Sequence, residues 1–172
     1  MGAFFILYPL AFTLWPLPTT PYFRMILRLF RPSDLETLWE IDQACFPPGI
    51  SYSQEELAGF IAHRGSRTWV AEEGGSIMGF LIASRQPRGR RAGHIVTIDV
   101  VEVTRRRGVG TKLMDAAEHW AREEGLQLIY LETAEDNLAA QRFYAGRGYR
   151  KLRKIENYYR HGLAAWVMGK EL

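Results

Sequence analysis

The stretch Arg105-Arg106-Arg107-Gly108-Val109-Gly110-Thr111 lies between a run rich in β-branched residues and an amphipathic segment. Backbone amides in the first turn of a helix bind anions, aided by the positive end of the helix dipole. Glycine at 108 and 110 lets an oxyanion approach without a Cβ in the way. The stretch therefore predicts a strand, a tight turn and a helix whose first turn holds a diphosphate. A tight turn without a ligand is the alternative.

Two common phosphate-binding loops do not fit this stretch. A Walker loop ends in Gly-Lys-Ser/Thr, but Gly110 is followed by Thr111 and only then by Lys112. A dinucleotide-binding loop needs a third glycine at position 113, which is Leu113. The loop therefore belongs to another class of anion site.

Hydrophobic periodicity predicts the elements on both sides of this loop. Alternation of strand, helix and strand after residue 100 indicates one parallel strand pair, whereas three consecutive strand-like runs before it indicate an antiparallel meander. Ser53 and Glu56 form a capping box that starts a helix. The predicted strands are 25–30, 68–72, 77–85, 94–103, 127–133, 149–158 and 164–170, and the other predicted helices are 31–45, 109–124 and 137–145.

A second motif follows the loop at a characteristic distance: Asn137-x-x-Ala140-x-x-Phe143-Tyr144-x-x-x-Gly148-Tyr149. Together, the loop and this motif resemble the GNAT superfamily of N-acetyltransferases from Met25 to the end of the chain. The resemblance implies an α/β fold: a mixed, mostly antiparallel sheet with a splayed parallel strand pair, flanked by helices. It also implies acetyl-CoA as the co-substrate and an amine as the acceptor.

Within the superfamily, three segments resemble the ribosomal-protein alanine N-terminal acetyltransferases: Leu131-Glu132, Glu156-Asn157-Tyr158-Tyr159, and Phe46-Pro47 with a serine shortly after. The resemblance implies transfer to a protein N-terminal α-amine, such as that of a ribosomal protein. A lysine or a small amine is an alternative acceptor, and an acyl-CoA-binding regulatory module is the alternative without catalysis. The chain departs from those enzymes at Asp99-Val100-Val101-Glu102, where they read Ala-Val-Asp/His-Pro.

The resemblance assigns cofactor binding to three segments. Main-chain groups of one strand contact the pantetheine arm, amides of the loop hold the diphosphate, and the loop arginines attract the 3′-phosphate or point to solvent. Asn137 contacts the pantetheine arm, caps its helix, or does both. The implied cofactor-binding residues are Ile98, Asp99, Val100, Arg105, Arg106, Arg107, Gly108, Val109, Gly110, Thr111 and Asn137.

The chemistry of acetyl transfer requires a base, because an amine attacks a thioester only when it is neutral. The resemblance assigns this role to Glu132, and it assigns protonation of the leaving thiolate to Tyr144. The implied acceptor-binding residues are Phe46, Tyr52, Tyr158 and Tyr159. Strand alternation sends adjacent side chains to opposite faces, so only one of the last two is expected to face the cleft, and packing within the strand is the alternative for either.

Composition narrows the class of protein further. The chain has 172 residues with 22 Lys and Arg against 19 Asp and Glu, which favours anionic ligands but is too weak a bias for a polybasic nucleic-acid binder. Cys45 is the single cysteine, so no intramolecular disulfide forms and a cytoplasmic location is expected. We also expect Cys45 not to be a nucleophile, because no histidine lies near it in sequence. The four histidines lack metal-ligand spacing, so no metal is expected.

Two segments lie outside this scheme. Residues 1–23 carry no charged side chain and include an apolar run broken by prolines. We expect 1–24 to be an extension of the single domain at 25–172, with translation starting at Met25; a membrane-surface anchor and a segment packed on the domain are the alternatives. The turn at 86–93 contains three arginines, which suit a solvated hairpin tip better than a nucleic-acid patch because no aromatic residues interleave.

Overall fold

The computed structural model describes residues 24–87 and 91–172. The predicted extension therefore lies almost wholly outside the described residues, and its boundary stays a prediction. The strands are β1 (Ile26–Leu29), β2 (Ser66–Glu73), β3 (Ser76–Arg85), β4 (Ala92–Val100), β5 (Leu128–Ala134), β6 (Arg150–Ile155) and β7 (Ala165–Glu171), and the helices are α1 (Leu35–Cys45), α2 (Gln54–Ala62), α3 (Val109–Glu123) and α4 (Leu138–Gly146).

Within the described ranges, the strands form one sheet in the order β1-β2-β3-β4-β5-β7-β6. Neighbouring strands run antiparallel except β4 and β5, which run parallel. The prediction of a mixed, mostly antiparallel sheet flanked by helices is confirmed. β4 and β5 can run parallel because α3 connects them as a crossover helix.

The parallel pair is short and then opens. Only three residue pairs join β4 to β5, the last being His94 and Tyr130. Beyond them the two strands diverge, and β4 carries a bulge at Val96, because Ile95 and Thr97 pair with consecutive residues of β3. The main chain of the second half of β4 is therefore not paired with β5, which creates an opening in the middle of the sheet.

Helices cover both faces of the sheet. On one face, α3 packs its apolar stripe onto the sheet through Leu113, Met114 and Trp120, as the periodicity predicted. On the other face, α1 and α2 bury Leu38 and Leu57 against the sheet. Burial of such side chains stabilises each layer by about 1.5–3 kcal/mol per residue.

Local chemistry sets the helix starts. The capping box is confirmed: Ser53 Oγ accepts from the Glu56 amide at 3.2 Å, and Glu56 Oε2 accepts from the Ser53 amide at 2.8 Å. The first predicted helix begins later than expected, at Leu35, because a 3-10 turn precedes it. Asp34 closes that turn by accepting from the Arg31 amide at 2.7 Å.

Two predicted strand ends were wrong. The strand predicted to reach residue 103 ends at Val100, because the hydroxyl of Thr104 donates to the carbonyls of Val101 and Met78 and holds a 3-10 turn there. The strand predicted to reach residue 158 ends at Ile155. Both errors place loop backbone, rather than strand, at the rim of the opening.

Across the described ranges, no helix is long and apolar enough to cross a membrane.

Candidate active site

The opening between β4 and β5 forms the floor of a cleft of about 430 Å³. Its walls come from the end of α1 with the loop that follows, from α4, and from the loop between β6 and β7. Seven residues predicted from the sequence line this cleft: Phe46, Tyr52, Ile98, Glu132, Asn137, Tyr144 and Tyr159.

Glu132 lies on β5 just beyond the last β4–β5 pair, and its partner is a residue that the sequence did not single out. His94 Nε2 lies 2.6 Å from Glu132 Oε2, so the two side chains share a hydrogen bond. They are 22% and 13% exposed, respectively, which leaves the carboxylate accessible from the cleft. The His94 ring stacks on Tyr130, with ring centroids 4.8 Å apart. His94 and Glu132 therefore form a pair held in place by the sheet.

Tyr144 lies on α4 and is 7% exposed, with part of its side chain lining the cleft. Burial raises the pKa of its hydroxyl, and Asp99 adds to the effect when it is ionised. A raised pKa keeps the phenol protonated throughout the neutral range. Tyr144 can therefore donate a proton within the cleft.

The Arg105–Thr111 loop adopts the geometry of an anion cradle. Arg106 and Gly108 both have positive φ, 63° and 82°, on either side of Arg107. Such alternation points successive amides into one concavity. α3 begins directly afterwards at Val109, and the first amides of a helix have no acceptor within it. The residues present therefore fit a diphosphate group.

The two glycines of the cradle differ in their surroundings. Gly108 supplies the left-handed conformation, and a Cβ there would meet no atom within 4 Å. A Cβ at Gly110 would lie 3.4 Å from Phe143 Cζ, which is ordinary van der Waals contact, so packing against α4 leaves room for a small side chain. That both glycines clear space for an oxyanion stays a prediction.

The side chains of two cradle arginines are already engaged. Arg107 bonds Glu73 at 2.7 Å and ties the cradle to the turn between β2 and β3. Arg105 Nε donates to the Val100 carbonyl at 3.2 Å, and the Cys45 thiol donates to the same oxygen at 3.5 Å. Burial raises the pKa of that thiol, which favours its protonated form over a nucleophilic thiolate. Contacts of these arginines with a 3′-phosphate stay a prediction.

Asn137 caps α4, because its Oδ1 accepts from the Ala140 amide at 3.0 Å. The same residue lines the cleft. The capping alternative is therefore confirmed, and the position also suits the predicted contact with the pantetheine arm.

Asp99 is the first residue of the segment in which this sequence departs from the ribosomal-protein acetyltransferases. It is 1% exposed and lies beneath the cleft. Its Oδ1 accepts from the Thr97 hydroxyl at 2.9 Å, whereas Oδ2 has no protein partner among the described residues. Burial raises the pKa of Asp99 well above its usual range, and the charge of Asp42 raises it further. The surroundings of this side chain therefore favour its protonated form.

Asp42 is the neighbour of Asp99 on α1 and is fully buried. Its Oδ2 accepts from the Tyr52 amide at 2.8 Å, and its Oδ1 is also unpartnered among the described residues. Burial raises the pKa of this carboxyl to about 6. The two acids therefore lie close enough for the charge of Asp42 to affect the pKa of Asp99, and each keeps one buried oxygen without a partner among the described residues.

Tyr158 and Tyr159 do not lie in a strand, so the alternation argument fails for them. They follow the end of β6 and precede a 3-10 turn at Arg160–Gly162. Tyr159 lines the cleft, and both tyrosines line a second pocket outside it. Both therefore lie where the loop between β6 and β7 walls the cleft, at different depths.

Residues 24–87 and 91–172 contain no group of three or more His, Cys, Asp or Glu side chains placed to hold a metal ion.

The sequence is similar to those of N-acetyltransferases over most of its length. The model of the acetyltransferase (GNAT) family matches residues 35–149. An uncharacterized N-acetyltransferase of Methanocaldococcus jannaschii is 30% identical over 148 residues, which are 86% of this chain and 92% of that protein. An N-alpha-acetyltransferase of Saccharolobus solfataricus is 26% identical over 159 residues, covering 85% of this chain and 92% of the relative.

Solved structures share the fold over most of the chain. Ard1 from Thermoplasma volcanium superposes with a TM-score of 0.79 at 29% identity, covering 86% of this chain and 97% of that one. The ribosomal-protein-S18-alanine N-acetyltransferase of Escherichia coli gives a TM-score of 0.77 at 19% identity, covering 86% and 94% of the two chains. At that identity the second likeness concerns the fold alone.

Proposed function

Since the chain belongs to the acetyltransferase (GNAT) family and is an N-acetyltransferase, we propose that it transfers an acetyl group from acetyl-CoA to the N-terminal α-amine of a protein. One observation carries the proposal: the Glu132–His94 pair lies at the opening of the sheet, in a cleft that Tyr144 also lines. The cradle follows the end of β4, the strand that carries His94. Base, acid and anion site therefore surround one opening.

Glu132 is the proposed base. A protein α-amine has a pKa of about 8, so it must lose a proton near neutral pH before it can react. The carboxylate accepts that proton directly or through one water, and His94 holds the carboxylate in place and shares the added proton.

Acetyl-CoA supplies the thioester carbonyl that the amine attacks and the thiol that departs. The amides of the cradle hold its diphosphate, and the unpaired main chain of β4 binds its pantetheine arm. The amide of Val100 donates to the oxygen that becomes negative during attack, a role worth about 3–4 kcal/mol in other enzymes. Tyr144 protonates the departing thiolate, and the proton that the new amide releases restores the phenol through solvent.

Several observations support an α-amine as the acceptor. A relative with 26% identity over 85% of this chain is named an N-alpha-acetyltransferase. The cleft has its two acceptor walls on loops, at 46–52 and 156–162, so a flexible chain end can enter between them. An α-amine also loses its proton about two pH units more easily than a lysine. A ribosomal protein N-terminus is the acceptor that the sequence motifs favour, and a cytoplasmic location belongs to the same proposal.

The test is release of free thiol from acetyl-CoA with three acceptors: a peptide with a free N-terminal alanine, the same peptide N-blocked with an internal lysine, and spermidine. We expect turnover on the free α-amine only. Turnover confined to the blocked peptide or to spermidine would favour the lysine or small-amine alternative.

Variants of the cleft test the assigned roles. Glu132→Gln and Tyr144→Phe should each lower kcat about 10²-fold or more, while calorimetric affinity for CoA stays unchanged. His94→Leu should lower kcat about tenfold, because the Glu132 carboxylate loses the hydrogen bond that holds it in place. Glu123→Gln, an exposed substitution on α3, is the matched control. Tight CoA binding by the wild type without turnover on any acceptor would favour the regulatory module instead.

A further inference from the structure

A second pocket of about 590 Å³ lies directly outside the cleft. We call it the outer pocket, and its walls include Trp39, Gln43, Gly49, Glu56, Tyr158 and Arg160. It is separated from the cleft by three side chains that line both spaces: Ile50, Tyr52 and Tyr159. A chain end whose amine reaches Glu132 therefore passes these side chains and enters the outer pocket.

The spacing of a polypeptide decides which part of the acceptor occupies this pocket. Consecutive α-carbons are about 3.8 Å apart, so one or two residues cover the thickness of a single side-chain wall. The first residue of the acceptor lies in the cleft. Its second or third residue lies in the outer pocket, where side chains of the pocket can contact it and discriminate between residue types.

Arg160 brings a positive charge to this position. Its aliphatic stem lies against Gly49, because a Cβ on that glycine would be 3.1 Å from Arg160 Cβ and 3.2 Å from Cδ. Gly49 has a φ of 96°, a conformation that favours glycine. The contact joins the two loops that wall the acceptor entrance. Arg160 is therefore placed by packing rather than by an ion pair.

Within the described part of the chain, the Arg160 guanidinium takes part in none of the ion pairs. Glu56 is the one acid lining the outer pocket among these residues. Its Oε2 is occupied by the helix cap, accepting from the Ser53 amide at 2.8 Å. Bonds to Ser53 are the main reason that the pKa of Glu56 is lowered, and attraction to Arg160 is the smallest.

We propose that the outer pocket is a carboxylate subsite, in which Arg160 selects protein N-termini with Asp or Glu at the second or third position. A guanidinium binds a carboxylate through two parallel hydrogen bonds, which a glutamine amide cannot reproduce. The inference rests on the proposed function, since it names the class of N-terminus that the enzyme acetylates.

The test uses two pairs of free N-terminal alanine peptides, with Glu or Gln at position two and with Glu or Gln at position three. Glu and Gln have the same shape, so their ratio of kcat/KM isolates the charge. We expect about a fivefold preference for Glu at one of these positions, the size of a well-formed but solvated ion pair. The preference should shrink as salt is raised from 50 to about 500 mM.

Variants identify the residue responsible. In Arg160→Gln the Glu/Gln ratio should fall to about one, and in Arg160→Glu a Lys peptide should become preferred over Glu. Arg64→Gln removes an exposed arginine at the far end of α2 and should keep the wild-type ratio.

Equal turnover of the Glu and Gln peptides by the wild type, or a preference that survives Arg160→Gln, would overturn the subsite and leave the proposed function intact. No turnover on any of these peptides would instead count against the proposed function, and against the subsite with it.

Discussion

Glu118 on α3 and Asp99 on β4 are acids buried to a similar degree, 4% and 1% exposed, but their surroundings differ in kind. Glu118 accepts from Lys170 Nζ at 2.6 Å and from Arg147 Nη2 at 3.0 Å. Asp99 accepts from a threonine hydroxyl, and burial together with the charge of Asp42 raises its pKa. One acid is therefore paired with two cationic side chains, whereas the surroundings of the other favour its protonated form.

The difference follows from what each region does. The Glu118 cluster joins α3, the end of α4 and β7, far from the cleft floor, and a fully paired charge can fasten three elements together. In the proposed mechanism, an ammonium group loses its proton in the cleft above the Asp42–Asp99 pair. An ionised Asp99 would oppose that loss by stabilising the ammonium form, and the raised pKa of Asp99 disfavours its ionisation. We expect the two carboxyls to share one proton, which would hold them together with less local charge.

The largest expected effect comes from breaking the paired cluster. Glu118→Leu leaves Arg147 and Lys170 partly buried beside each other without their shared acceptor. We expect a loss of about 3 kcal/mol in the free energy of unfolding, measured by urea denaturation. Glu123→Leu, at an exposed position of the same helix, should change it by less than about 0.5 kcal/mol. Equal effects of the two substitutions would show that the cluster is not a fastening point.

A smaller effect is expected at the Asp42–Asp99 pair. There, one substitution can remove the carboxyl and its shape, and another can remove the carboxyl but keep the shape. Asp99→Ala removes the side chain expected to share a proton with Asp42 and leaves a small cavity, so we expect a loss of about 2 kcal/mol in the free energy of unfolding and a higher KM for the acceptor peptide. Asp99→Asn can still donate to Asp42 and should lose less than about 1 kcal/mol. If the asparagine variant is as unstable as the alanine variant, the two carboxyls do not share a proton.

The smallest expected effect is a difference in pH dependence. Burial raises the folded-state pKa of Asp42 to about 6, above its unfolded value. A raised pKa means that the stability from this group is complete below the unfolded pKa and is lost as pH rises through about 6. Between pH 5 and pH 7, the wild type should lose about 1 kcal/mol that Asp42→Asn does not lose. Parallel stability curves for the two proteins would contradict the assignment.

Features that depend on neighbouring residues could be predicted from the sequence alone. The capping box at Ser53, the apolar stripe of α3 and the cradle before it each involve hydrogen bonds or periodicities within a few residues. The prediction of Glu132 and Tyr144 as site residues rested on motifs of similar length, and both residues do line the cleft. Strand ends were less predictable, because Thr104 stops β4 through a bond to Met78, 26 positions away.

What the sequence determined by itself was the order of elements, the anion cradle and the identity of the two side chains proposed for proton transfer. Only the tertiary structure brought His94 to Glu132, 38 positions apart, and Asp42 to the neighbourhood of Asp99. It also placed Arg160 against Gly49 at the entrance. The physical reason is that local patterns act through helix and strand periods, whereas these contacts depend on the β4–β5 register and on loop packing, which no short stretch of chain encodes.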